Sequence, residues 1–369
     1  MEFLLILIAI TMVVGVLVVP ALRRRRGGRD AVSAAHRATD PGAYGFLPIE
    51  QLDVRLPGRD DELAETLSEV AASQDWRPVS RLLAHTDATS ELRWQRVQTL
   101  AGAAVHDLAS NPGRGGVWLR TWRVEAPKDP GGAAVQAEFL ARQALRDPGS
   151  QDFTMILEEA RAVCGEAALL APGDPVPYLV ELHVARGLGY RRADFEELWA
   201  KVKDRAPDHM GAHLAALPYW SEKWHGSKEL ADAFTHRAAG AAGDKSLLPA
   251  LPLFAVFEHL PEANLVQGLY RSAVVTRAID GALFAVQRAP ADHPVLPHVR
   301  HLLAWFLIRA ERYAEAIVQL RLVDGHVGAL PWSYQADPAE AYVAYRALAV
   351  AGWESAGGTA ATLPQEPRP

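Results

Sequence analysis

The side chains most capable of chemistry fall in a few short stretches. His209 and His213 in "PDHMGAH" stand four residues apart, and His298 and His301 stand three apart, close to His293. Imidazoles at such spacings share a helix face and are able to ligate a metal, but a site needs further ligands and partners that orient each ring. The sequence signposts neither, and His209 beside Asp208 serves equally well as a helix-start cap. "YWSEKWHGSKELADAF", residues 219–234, gathers Lys223, Trp224, His225, Gly226 and Ser227. Cys164 is the single cysteine, so the chain forms no internal disulfide and no thiolate cluster. In "RAVCGEAALL" it reads as a small core residue; a nucleophile would need a base brought beside it by the fold. The acidic pairs Glu158–Glu159 and Glu196–Glu197 read as solvated helix faces, because general acid–base work requires a cleft. A Gly-rich phosphate loop, a paired-His metalloprotease helix and a nucleophile elbow are all missing. No catalytic, cofactor or metal signature emerges.

The elements that would carry these residues are helices. Arg, Glu, Ala and Leu dominate, and β-branched alternation is scarce, which predicts an all-α fold. Residues 30–59 are broken by Pro and Gly without a sustained period and are expected to be a linker, with a short ordered piece near "YGFLPIEQL". A helical domain is expected over 60–353, and "ESAGGTAATLPQEPRP", 354–369, as a disordered tail. Within the domain, "LLAPGDPVPYL", "DRAPDHMGAHL" and "QRAPADHPVLPHV" each place Ala-Pro, then Asp, before a new apolar helix. The first two prolines, Pro172 and Pro207, lie 35 residues apart and Pro290 lies 83 further on. Pro ends one helix and a neighbouring Asp caps the next. A spacing near 34 is that of tetratricopeptide-type helix pairs, which must stack to bury both faces. "HLLAWFLIRAERYAEAIVQLRLVDG", 301–325, is the clearest unit, with Leu303, Ala304, Tyr313 and Ala316 at the large and small positions. The expected architecture is an irregular tetratricopeptide-like helical-hairpin array. Most of the ten tryptophans sit at core spacing within it.

Placed on this frame, "KWHGS" reads as a joint. One helix is expected from about His209 to Trp224 and another from about Lys228 to Ala239. Lys223 then lies in the last turn of the first, Gly226 takes a left-handed C-terminal position and Ser227 caps the second. Trp220 and Trp224, four apart, would form one aromatic ridge. A functional surface centred on Trp224, Lys223 and His225 is the competing reading.

"FLLILIAITMVVGVLVV", Phe3 to Val19, carries no charge, and with Pro20, Ala21 and Leu22 it reaches the length that spans a hydrocarbon core of roughly 30 Å. Glu2 precedes it and Arg23, Arg24, Arg25 and Arg26 follow, the reverse of a cleaved signal peptide. Residues 1–22 are therefore expected to be an uncleaved transmembrane anchor, with 23–59 the basic juxtamembrane segment and linker. The arginines place the helical domain in the cytoplasm and the short N-terminus outside. They also suit contact with anionic lipid headgroups. Outside residues 1–29 the chain holds 33 basic against 43 acidic residues, near −10, which disfavours nucleic acid as a partner.

"LPYWSEKWHGSKELADAF", preceded by "RAPDHMGAHLAAL" and "LLAPGDPVPYLVEL", resembles an uncharacterised bacterial family of helical-repeat proteins. That family is a domain of unknown function with a K-W-x-G-S turn, here Lys223, Trp224, Gly226 and Ser227. "GVWLRTWRVEAPKDPGGAAVQAEFLARQALRD" is similar to its earlier segment, so that the resemblance spans roughly residues 76–260. It implies a tetratricopeptide-like fold and carries over no catalytic residue. The function expected from the whole sequence is a membrane-anchored cytoplasmic adaptor or scaffold that binds a protein or peptide without catalysis or cofactor. The alternatives are a structural or lipid-organising role driven by Arg23–Arg26, or an enzyme assembled between helices. A deep pocket converging on His209, His213, Lys223 or His225 would favour the last.

Overall fold

The computed structural model describes residues 41–113, 115–261 and 268–364. Among these residues it is all-α: fifteen α-helices, several short 3-10 turns and one isolated bridge between Asp53 and His326. No helix of the described residues is long and apolar enough to cross a membrane. The expected anchor, 3–22, and Arg23 to Arg26 lie outside the described residues.

The chain divides into two compact units. The larger covers 58–303 and the smaller covers 41–57 with 304–364. In the larger unit α1 (Asp61–Ser73), α2 (Arg77–Ala84), α3 (Glu91–Ser110) and α4 (Val117–Glu125) come first. There follow α5 (Pro130–Arg146), α6 (Phe153–Leu170), α7 (Val176–Leu188), α8 (Arg192–Arg205), α9 (Met210–Trp220) and α10 (Lys228–Gly240). Then come α11 (Leu251–Glu258), α12 (Ala273–Arg288) and the first half of α13 (Leu296–Arg309).

Helix starts are set by side chains that accept otherwise unpaired backbone N–H groups. Asp60 accepts from Leu63, Ser90 from Arg93, Ser227 from Leu230, and Asp129 from Gly131 and Gly132 with Pro130 opening α5. At the first Ala-Pro junction Asp174 accepts from Val176. At the other two the cap shifts one residue beyond the expected aspartate: His209 Nδ1 accepts from Ala212 and His293 Nδ1 from Val295.

Packing follows alternation along the chain. α3 lies on α5, α5 on α7, α7 on α9 and α9 on α11, while α6 covers α5 and α7, α8 covers α7, and α10 covers α9 and α11. α9 also packs against α3, closing the row of odd-numbered helices upon itself. Gly211 permits that closure: a Cβ there would lie 2.7 Å from Trp94 Cδ1. Two aromatic clusters fill the core. Trp122, fully buried, stacks on Trp76 at 5.7 Å and covers Gly132. Phe195 stacks on Tyr219 at 3.6 Å, with Trp220, Phe234 and Trp199 around them. α3 carries two buried ion pairs. Arg93 donates to Asp174 at 2.7 Å, and Arg96 donates through two nitrogens to Asp60 at 2.8 and 2.9 Å.

The smaller unit joins α14 (Tyr313–Val323), α15 (Pro338–Ser355) and the second half of α13 to residues 41–57. Over 41–57 the expected linker is therefore folded. Asp324 is the pin: it accepts from the Leu47 backbone at 2.6 Å, from Tyr342 at 3.0 Å and from Arg346 at 2.9 Å. Arg346 also donates to the Leu47 carbonyl, and Tyr44, Phe46 and Leu56 are buried. The expected tail is ordered through 364, where Thr359 and Thr362 form a reciprocal cap around a 3-10 turn.

Candidate functional site

The "KWHGS" stretch is a joint of different construction from the one expected. α9 ends at Trp220, two residues after Pro218, so Lys223 lies outside the helix. The turn is held by Trp224 and Gly226 N–H donating to the Ser221 carbonyl and by Ser227 N–H donating to the Trp220 carbonyl. Gly226 is not left-handed. Its requirement is space: a Cβ would sit 1.9 Å from the Trp220 carbonyl oxygen. Ser227 caps α10 through Leu230 N–H. The aromatic ridge does not form, because Trp220 is buried while Trp224 is 38% exposed, with the Arg186 guanidinium 4.8 Å above its ring. His225 donates from Nε2 to the Arg186 carbonyl at 3.0 Å. Lys223, Trp224 and His225 lie at the surface and line neither of the two cavities described below.

His213 is buried, edge-on to Trp199 at 4.9 Å, and donates from Nδ1 to the His209 carbonyl. His209 faces the other way. Its Nδ1 lies 3.3 Å from Glu91 Oε2, and His293 Nε2 lies 3.7 Å from Glu91 Oε1. Glu91, on the first turn of α3, accepts from the Met210 and Gly211 backbone at 2.5 and 2.9 Å, so one carboxyl caps a helix 119 residues away. Burial pushes that carboxyl up to about 7, against the opposing pull of the two N–H donors. Burial likewise drives His209 down to about 3, with His213 and His293 adding to the shift, and lowers His293. A ring nitrogen that accepts a backbone N–H must be unprotonated, so both histidines are neutral with the proton on Nε2. Among the described residues no group of three or more His, Cys, Asp or Glu is placed to hold a metal ion.

Beside Glu91 lies an inner cavity of about 180 Å³ between α3, α9 and the start of α13. Trp94, Gln95, Leu214 and His298 line it, with His183 at one wall. Burial drives His298 down to about 4. The Gln95 side-chain amide oxygen, Oε1, is buried without a hydrogen bond.

The larger feature is an open cleft of about 500 Å³ where α3, α5 and α7 meet. Its polar lining is His106, Glu138, Arg142, Arg146, His183 and Arg186, over an apolar floor of Val105 and Leu145. Glu138 is fully buried; Arg142 Nε donates to it at 2.6 Å and His183 Nδ1 lies 3.3 Å from its second oxygen. Burial alone would raise the Glu138 carboxyl, but Arg142 and His183 together hold it below the ordinary range. That acid is thus committed to Arg142 and His183; Arg146 and Arg186 line the same cleft. His183 belongs to both cavities and lies 5.8 Å from Trp94.

Neither cavity is lined by a hydroxyl or a thiol. Cys164 is buried in α6, and burial, with Glu181 and Glu138 adding to it, raises its pKa well above the ordinary value. The lining residues escape a reading of motifs because they are shared among three helices far apart in the chain. One local signal does exist: Glu138 interrupts the apolar face of "AAVQAEFLARQAL" with Arg142 one turn later, the pattern of an acid buried with its own counter-ion. The chain matches no family model, no curated protein and no solved structure.

Proposed function

We propose that this chain is a membrane-tethered helical-repeat binding protein that takes a segment of a partner protein on the wall formed by α3, α5 and α7. The observation that carries the reading is the open cleft on that wall, lined by charged and imidazole side chains from three helices and by no hydroxyl or thiol. Helices stacked two apart along the chain resemble the inner wall of a tetratricopeptide-like array, where binding rests on complementarity of side chains. The tether is the apolar run 3–22, with the arginines after it directing the helical units to the cytoplasm.

Glu91 does not favour an enzyme. Both of its oxygens already accept backbone N–H groups, so its role is to fix α9 against α3. A lipid-organising role would rest on Arg23–Arg26 alone. The test is in-cell crosslinking of the full-length chain, purification from membranes and mass spectrometry, beside a control lacking residues 1–29. A stoichiometric protein partner retained by the control supports the binding reading. Loss of every partner from both samples overturns it, and activity abolished by Arg23–Arg26→Gln with partner capture intact would favour the lipid role.

A further inference from the structure

Glu91 is a buried carboxyl with no cation beside it. The groups within ion-pair reach of it, among the described residues, are His209 and His293. Both are neutral, because each accepts a backbone N–H. The two Glu91 oxygens offer about four acceptor sites, and the Met210 and Gly211 N–H groups take two of them. A carboxylate withdrawn from water is costly unless a positive charge joins it, which is why burial pushes this one up to about 7. The fold leaves room for such a charge, since Glu91 lines the inner cavity of about 180 Å³.

The rest of the lining points to the same kind of ligand. Gln95 stands one turn after Glu91 on α3, so the two share a helix face and both border the cavity. Gln95 is only 8% exposed and its Oε1 has no hydrogen bond, an acceptor buried without a donor. His298 is neutral, so one of its ring nitrogens is a third acceptor. Three acceptors match the three N–H donors of an ammonium group. Among the described residues no arginine or lysine lines the cavity, so an anion finds no counter-charge there. Trp94, Leu214, Ala215 and Val295 supply the apolar part of the wall. A cavity of about 150 Å³ holds benzene, so the volume here takes a monoamine with a short hydrocarbon body. We infer that the inner cavity is a binding site for a small primary ammonium ion, paired with the Glu91 carboxylate and donating to Gln95 Oε1, with its hydrocarbon body against Leu214 and Val295.

The test is isothermal titration of the full-length protein in nanodiscs with n-butylammonium, and with uncharged 1-butanol as the control of similar shape. Empty nanodiscs are titrated as the blank, and pH 8 keeps the Glu91 carboxyl ionised. The expected result is saturable binding of n-butylammonium and none of 1-butanol over the same range. Gln95→Leu removes the amide oxygen at similar volume, and Glu91→Gln removes the charge while keeping an acceptor for the α9 backbone. Each should weaken binding by about tenfold or more, with melting temperatures read as a check on folding. Should Glu91→Gln fail to fold, Gln95→Leu decides alone. Binding of 1-butanol as tight as that of the amine would show an uncharged pocket and overturn the ion pair. Amine binding undiminished in the variants would place the amine elsewhere, and no amine binding to wild type refutes the site.

Discussion

Two glycines give the closure of α9 on α3 a test with opposite signs. Gly165 lies exposed within α6, and a Cβ there meets nothing within 4 Å. Gly211 lies in the first turn of α9, and a Cβ there would sit 2.7 Å from Trp94 Cδ1, 3.1 Å from His209 Cε1 and 3.2 Å from Trp94 Nε1. Neither glycine is left-handed, so alanine is permitted by the backbone at both. Alanine in a helix interior stabilises by about 0.5–1 kcal/mol over glycine, which is the effect expected at Gly165. At Gly211 that gain is opposed by overpacking, which costs about 1–3 kcal/mol in a filled core. Trp94 is only 2% exposed and packs beside His183, so the indole has little room to retreat. The propensity gain is common to both, so the two substitutions should differ by the overpacking cost, about 1–3 kcal/mol, with Gly165→Ala above wild type and Gly211→Ala below it. Urea unfolding of the two variants beside wild type, followed by circular dichroism, measures the difference. A Gly211→Ala protein as stable as wild type, with Gly165→Ala behaving as expected, would refute the close approach of α9 to α3 and with it the shape of the inner cavity.

Gly226→Ala should destabilise by more than about 2 kcal/mol, because the new Cβ meets backbone and not a movable side chain; a neutral melting temperature would contradict the turn. Asp174→Ala leaves Arg93 buried without its partner and uncaps α7, and should cost about 3–5 kcal/mol in denaturant unfolding. In pH dependence the histidines and Glu91 act in opposite directions. His209 and His298, held near 3 and 4 in the fold, take up protons only on unfolding between those values and about 6.5, so acidification from pH 6.5 to 4 removes on the order of 3 kcal/mol for each. Glu91, raised to about 7, is protonated in the fold before it is in the unfolded chain, so acidification from pH 7 to 4.5 adds a similar amount. The histidines outweigh it: wild type should lose stability towards pH 4, and Glu91→Gln should steepen that loss in unfolding curves taken across the range. An unchanged slope in Glu91→Gln would show that the carboxyl titrates normally.

The helical class and some helix starts were legible because they depend on local chemistry: Ser227 caps the helix that follows it, and Asp174 after the first Ala-Pro junction accepts from Val176. The joint at 221–227 was legible as a joint, and its mechanism was not. Gly226 looks like a left-handed C-cap in sequence, while its actual constraint is a carbonyl folded back over it, a contact set by the path of the turn. Residues 41–57 read as linker because their partners, Asp324 and Arg346, lie about 300 positions away. The same reason hid the cleft. His106, Glu138, Arg146 and Arg186 come from three helices, and only their packing makes one surface of them. His209 was read correctly as a cap, but its approach to Glu91 depends on α9 crossing back to α3.

The most direct test of the account is site-specific photocrosslinking in cells, with p-benzoylphenylalanine placed in the full-length protein at His106, on the cleft, or at Leu169, which is 84% exposed on α6 and outside the cleft lining. The account predicts a discrete protein adduct from position 106 that disappears in the Arg146→Glu background, and none of that mass from position 169. Identical adducts from both positions, or none from 106, would contradict the claim that this cleft is where a partner binds.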